Sequence, residues 1–380
     1  MKVAMILRPD ADRVFGGDTV VMQKLSAALR ASGIEVTVGR LTEMPPAQEF
    51  DLLHMFAVMP VEHSSRMAAW AKAGGAASVI SPLYYDDFRS WFERAVVAAP
   101  RWRSLARWLG KPRAWAIYRG WQTARLPLSS TWRGGRETLL AATVIATTSR
   151  WENSWIAGHF RLPPAVQQEM RISPLGIDAD IYGQHFTEGQ LAEFRARYGL
   201  EPGYVSQVAR IEEKKNQLAV IEALYDDPVP LVFVGQDSPY YAVVYPARCR
   251  ELGARRGRVK FLGWLPEAEL PLLYAAGAAH IMASWVELPG LSSLEAGASG
   301  SRVITTEIAP LRELLGAAVW YCDPYDRASI RAATLRALAA PVPAGLRERL
   351  QAEFSWPVVA AANVALYEET LRLHRAHHSS

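Results

Sequence analysis

The chain has 380 residues, half of them hydrophobic and 21% charged, with a formal net charge of +4 and a pI near 9.0. That length exceeds what one core serves and predicts two domains of roughly 150–200 residues each. The composition excludes a disordered chain, and two cysteines, Cys249 and Cys322, exclude a disulfide framework or a cysteine metal cluster.

The cysteine usage fits a reducing cytosol. No segment approaches the roughly 18 uninterrupted apolar residues of a membrane span. The opening MKVAMILRPDADR reads as a first strand and not as a signal peptide. A cytoplasmic protein is expected, peripheral at most on the cytoplasmic face of a membrane.

Lys2 to Leu7 is predicted as a buried strand, followed by a loop carrying Gly16-Gly17. Paired glycines before a helix start let backbone approach a ligand closely, and the helix end takes an anion. A helix from Val20 to Ser32 follows, closed by Gly33, and Ile34–Val38 is the next strand. Asp51–Phe56 forms a third strand with His54 near its end, Ala76–Ser81 a fourth and Val144–Thr148 a fifth.

Residues 88–136 interrupt this order. They hold Trp91, Trp102, Trp108, Trp115, Trp121 and Trp132, interleaved with arginines and a single acid before residue 137, Glu93. Basic residues mixed with Trp and Leu, in pieces broken by Pro100 and Pro112, suit helices in a membrane interface. The opposing expectation packs the tryptophans inward and leaves the arginines as a solvated face. No nucleic-acid-binding module accompanies the charge, so nucleic acid is not expected as a partner.

Proline and glycine punctuate residues 163–178, and strict strand–helix alternation begins after Phe186. Strands are predicted at Tyr204–Val208, Pro230–Val234, Arg258–Leu262, Ala279–Ala283, Arg302–Thr306 and Ala318–Tyr321. Such alternation predicts an α/β, doubly wound parallel sheet. The domains expected are residues 1–172, 173–355, and a helix over 356–380 returning to the first domain.

Ser284–Gly300, SWVELPGLSSLEAGASG, carries two carboxylates, Glu287 and Glu295, after a strand and around a helix start. Ligands of open α/β sheets bind at that edge. Ser292 and Glu295 also fit a capping box. One junction earlier, Arg210 and Lys215 leave a strand end together, a pair of cations able to clamp a diphosphate.

Five motifs in this order resemble the retaining, nucleotide-sugar-dependent glycosyltransferases of the GT-B fold, family 4. They are Gly16-Gly17, Pro174-Leu175-Gly176-Ile177-Asp178, Arg210 with Lys215-Asn216, Phe261-Leu262-Gly263-Trp264, and the Glu287/Glu295 pair. The resemblance covers most of the chain, most strongly Gly176 to Tyr321, and implies two Rossmann-like domains facing a central cleft.

It further implies Arg210 and Lys215 on the donor diphosphate, with Gly16 and Gly17 closing over the phosphates. Glu295 would take the ribose hydroxyls. Glu287 would lie against the donor sugar, with Gly290, Leu291 and Ser292 positioning its hydroxyls, and the base would sit near Gly263 and Leu265. No metal or other cofactor is expected, the protein's cations neutralising the leaving group. The acceptor would be a glycan or a lipid-linked hydroxyl. A histidine that relatives carry after the fourth strand is absent here, and His54 or Asp86 is the candidate replacement, His54 being taken with Glu287 as catalytic. The alternative is a GT-B protein that binds glycan or membrane without turnover.

Overall fold

The computed structural model describes the whole chain except residues 7–16, 86–87, 239–243, 289 and 379–380. Gly16 and Asp86 lie outside the described residues.

Six strands build the first sheet: β1 (Lys2–Ile6), β2 (Glu35–Gly39), β3 (Leu52–Phe56), β4 (Ala77–Ser81), β5 (Val144–Thr147) and β6 (Arg171–Ile172), in the order β2-β1-β3-β4-β5-β6. Six more build the second: β7 (Val205–Val208), β8 (Leu231–Val234), β9 (Val259–Gly263), β10 (Ala279–Met282), β11 (Val303–Thr306) and β12 (Trp320–Cys322), in the order β12-β11-β10-β7-β8-β9. All these pairings are parallel. Parallel neighbours need long crossovers, which is why helices separate the strands in sequence.

Burial on both faces explains the continuous apolar runs. In β1, Val3 and Met5 enter one hydrophobic cluster while Ala4 and Ile6 enter another, as the two-residue period of a strand requires. In β8, Leu231 and Phe233 divide from Val232 and Val234 in the same way.

The C-terminal helix, Trp356–His378, lies on the first sheet. Its Val359, Ala360, Leu366 and Tyr367 share a cluster with Val3, Met5, Val21 and Leu25. The chain therefore passes between the two halves twice, and the passages are joined. Ile177 N–H donates to Phe354 O at 2.7 Å. Ser173 Oγ donates to Asn363 Oδ1 at 2.8 Å. Gly176 is required there, because a Cβ would come within 2.5 Å of the Trp356 ring.

That returning helix decides the place of His54. In mid-sheet β3 its side chain is fully buried, with Nδ1 2.7 Å from Tyr367 Oη and Nε2 2.9 Å from Ser81 Oγ. Burial pushes its pKa down to about 3. A neutral histidine closed off by the C-terminal helix does not reach the cleft, which corrects its expected role beside Glu287. Tyr367→Phe should strand one ring nitrogen and lower stability by about 1–3 kcal/mol. Urea denaturation measures that loss, and ligand binding in the cleft should be unchanged.

Residues 88–136 form helices Phe88–Ala98, Pro100–Leu109 and Lys111–Arg125, then lead into Ser130–Ala141. The tryptophans divide into two groups, one packed inward and one exposed. Trp102 and Trp115 pack around buried Phe92 and Tyr118, and Trp132 enters the core of the first half. Trp91, Trp108 and Trp121 stay 56%, 81% and 40% exposed. Among the described residues no helix is long and apolar enough to cross a membrane.

Candidate active site

In the second sheet the chain winds outward in both directions from β7 and β10, which are neighbours. Loops leaving such a pair of strands diverge and open a crevice at their C-terminal edge. The two loops are those that carry Arg210–Lys215 and Ser284–Gly290.

Asn216 ties them together. It adopts a left-handed conformation, φ 61°, and its Nδ2 donates to Ala283 O at 3.0 Å and Pro324 O at 2.8 Å. Trp285 N–H donates to Lys214 O at 2.9 Å, and Gln207 Nε2 donates to Lys215 O at 2.6 Å. So held, Lys215 Nζ reaches Glu287 Oε1 at 2.7 Å, and the Glu287 side chain is only 6% exposed. Arg210 stands beside buried Glu212, Nε to Oε2 3.5 Å, and Gln217 Nε2 fixes its carbonyl at 2.8 Å. Glu212 is therefore a buried neighbour of the cation and not part of a solvated run.

Gly290, φ 76°, caps the helix Leu291–Ala298. A Cβ on it would stand 3.8 Å from Glu287 Oε2, so the carboxylate lies close to the positive end of that helix. Gly290 thus lies against Glu287, and Leu291 and Ser292 follow it as the first residues of the helix. Because the cap falls at Gly290 with no side-chain hydrogen bond, the capping box expected of Ser292 and Glu295 does not form.

Glu295 instead accepts from Tyr274 Oη at 3.3 Å. Burial pushes its pKa up to about 7, against the Tyr274 and Tyr182 hydroxyls and the Lys24 charge, with Glu267 adding to the rise. Lys24, on the helix Gly17–Ala31 that begins at Gly17, donates to Glu267 Oε2 at 2.9 Å and Asp178 Oδ2 at 3.3 Å. Burial opposes its charge, yet these two acids raise the Lys24 pKa.

Gly263 O accepts from Gly235 N–H at 2.6 Å, which puts the Gly263 backbone beside the end of β8. The Leu265 side chain turns into a hydrophobic cluster with Tyr204 and Val232, leaving only its backbone for a ligand. The exposed ring at this edge is Trp264.

The side chains that sequence reasoning missed line a cavity of about 590 Å³ between the halves. Trp115, Trp151 and Trp155 face Glu287, Trp285 and Tyr325 across it. Lys214 Nζ donates to Tyr85 Oη at 3.0 Å, and the Arg89 guanidinium lies 4.9 Å from the Tyr325 ring centre. For Arg89, Trp115 and Arg119 the density of Trp and Arg over residues 88–136 was the available signal, but composition does not reveal which face of a helix looks into a cleft.

Two parallel, doubly wound sheets facing a cleft, with the last helix returned to the first, define the GT-B fold. Solved structures agree in fold over nearly the full length. Sucrose-phosphate synthase from Thermosynechococcus elongatus superposes with TM-score 0.72 at 19% identity, over 97% of this chain and 98% of that one. Anabaena HepE in complex with UDP-glucose gives 0.67 at 16%, over 98% and 99%.

The family match lies in the second half, where residues 192–353 fit the model described as "Glycosyl transferases group 1". Among curated proteins, O-antigen chain mannosyltransferase B of Escherichia coli is 28% identical over 213 residues, 53% of each chain. Alpha-monoglucosyldiacylglycerol synthase of Streptococcus pneumoniae is 32% identical over 184 residues, 46% of this chain and 41% of that one. The chain thus matches about half the length of the first of these relatives, and less of the second.

Proposed function

We propose that the chain is a retaining glycosyltransferase that moves a sugar from a nucleotide-sugar donor to a hydroxyl of a glycan or lipid-linked acceptor, without metal or cofactor. The observation that carries this reading is the Lys215–Glu287 pair at 2.7 Å, set at the sheet's switch point beside Arg210 and a helix start.

In that reaction the bond from the anomeric carbon to the diphosphate oxygen breaks. A bond from the same carbon to the acceptor oxygen forms, and the acceptor's proton passes to the departing diphosphate. Arg210 and Lys215 neutralise the departing charge, Lys215 having further protons to donate beside the one facing Glu287. The Glu287 carboxylate stabilises positive charge at the anomeric carbon. Glu295 accepts the ribose hydroxyls, and the backbone amides after Gly290 take sugar hydroxyls. The curated relatives with glycan and diacylglycerol products in their names support the acceptor class.

A thermal-shift panel of UDP, GDP, ADP and their sugar conjugates tests this. One nucleotide at about 100 times its dissociation constant should add roughly 2.7 kcal/mol to the wild type, and Arg210→Ala and Glu295→Ala should lose the gain. No shift from any nucleotide would sink the reading.

Glu295 makes that binding pH-dependent. With its pKa raised to about 7, the folded protein holds a proton there that the unfolded chain loses near its ordinary 4.5. Stability from this group is therefore lost as pH rises from about 4.5 to 7. Nucleotide affinity should move the other way, rising with pH to a plateau above about 7, because only the carboxylate accepts both hydroxyls. Calorimetric titration between pH 5.5 and 8 should show this slope in the wild type and not in Glu295→Gln.

The exposed Trp91, Trp108 and Trp121, set among arginines, support contact with an anionic inner-leaflet surface. Trp108→Glu should weaken binding to anionic vesicles roughly tenfold, with nucleotide binding intact; unchanged vesicle binding would end this part of the proposal.

A further inference from the structure

We propose that the cavity between the halves is the acceptor site, and that it selects an acceptor in which the sugar to be extended is joined to a phosphate. This rests on the transferase reading, because Glu287, in the wall of this cavity, is what connects it to the donor side.

The apolar part of the site is built for a pyranose ring. Trp151 and Trp155 lie one helical turn apart with ring centres 6.1 Å apart and planes at 15°, so they form one continuous indole surface. Trp285 and Tyr325 repeat the arrangement on the opposite wall, at 6.1 Å and 17°. The C–H face of a sugar fits between such surfaces, leaving its hydroxyls to the rim.

The charges of the site are uneven. On the donor side, the Glu287 carboxylate is held by Lys215, that of Glu307 by Arg312, and Asp323 Oδ1 accepts the Tyr325 N–H at 2.9 Å. On the helical side, Arg119 is exposed with no ion-pair partner among the described residues. Arg89 shares Glu93 with Lys111, at 2.9 and 2.6 Å. Its buried Nε has no hydrogen-bond partner. Two guanidinium groups beside an aromatic slot, one with an unused donor, match a phosphate next to a sugar ring. An uncharged glycan would leave the Arg119 charge to solvent and the Arg89 Nε without an acceptor.

The phosphate can belong to a soluble glycosyl phosphate or to a lipid-linked one, and the test separates them. Tryptophan fluorescence is recorded with the donor site saturated by the nucleotide found in the panel above. Methyl glycosides and 1-phosphates of glucose, galactose, mannose and N-acetylglucosamine are then titrated. A polyprenyl-diphosphate N-acetylglucosamine in phosphatidylcholine vesicles is titrated beside them.

At least one phosphorylated probe should bind about tenfold or more tightly than its methyl glycoside. Arg119→Glu should erase that preference and leave nucleotide binding unchanged, while Trp151→Ala should weaken both kinds of probe. A preference confined to the vesicle-borne probe supports the lipid source, and one seen with a soluble 1-phosphate supports the other. Equal binding of every pair, or a preference that survives Arg119→Glu, overturns the inference while nucleotide binding keeps the transferase reading. Failure of every nucleotide overturns both.

Discussion

Lys215→Met is expected to lower the stability of the second half by about 3 kcal/mol and, on the proposed function, to abolish transfer. Its Nζ is the ion-pair partner of Glu287, whose side chain is buried. Removing one member of a largely buried pair leaves a poorly hydrated charge without its counter-ion, which costs more than the pair contributed. The double variant Lys215→Met, Glu287→Gln removes both charges and should recover most of the lost stability, without activity. Denaturant melts of the single and double variants measure this. If Lys215→Met is as stable as the wild type, the pair does not hold the site together, and the observation behind the proposed mechanism is lost.

Gly235→Ala should act on the same crevice through the backbone. Gly235 sits at φ 140°, and a Cβ there would stand 2.1 Å from Ala209 O and 3.1 Å from Arg210 N. Both atoms are backbone, so nothing flexible can yield. The strand ends must separate, at about 3 kcal/mol, and Arg210 moves with them. Gly203→Ala provides the comparison: its φ is 79° with nothing within 4 Å of the added carbon, so only left-handed strain of about 1 kcal/mol applies. Nucleotide affinity should fall in the first variant and hold in the second.

The two sheets were legible because parallel strands buried on both faces must read as apolar runs, and Val3–Ile6 and Leu231–Val234 do. The pair of loops at β7 and β10 was legible for a related reason, since Gly290 and Asn216 mark the turns from which Glu287 and Lys215 project. The two-residue strand β6 carries too short a pattern to read. Helices Arg327–Ala339 and Leu346–Phe354 went unassigned because they follow the last predicted strand, where alternation no longer demanded them. His54 was misjudged because its hydrogen-bond partner Tyr367 is 313 residues away, and no local pattern reports a contact at that separation. The capping box failed because Gly290, two residues earlier, starts the helix first. For residues 88–136 the composition described two populations of tryptophan at once, and only tertiary packing sorts Trp102 and Trp115 from Trp91 and Trp108.

The two chain passages between the halves act on motion as well as on packing. A single flexible linker would let one half swing and twist freely about it. Here Ile177 is bound to Phe354, and Ser173 to Asn363, so the passages form one joint with a fixed axis. Two tied strands of chain resist torsion more than one would, which favours rotation about a single axis. Every opening of the cleft must then part Lys24 from Glu267, and Lys214 from Tyr85, and every closure must return them to the same register. On the proposed function, donor sugar and acceptor hydroxyl would meet along one arc, set by a joint that lies outside the chemistry.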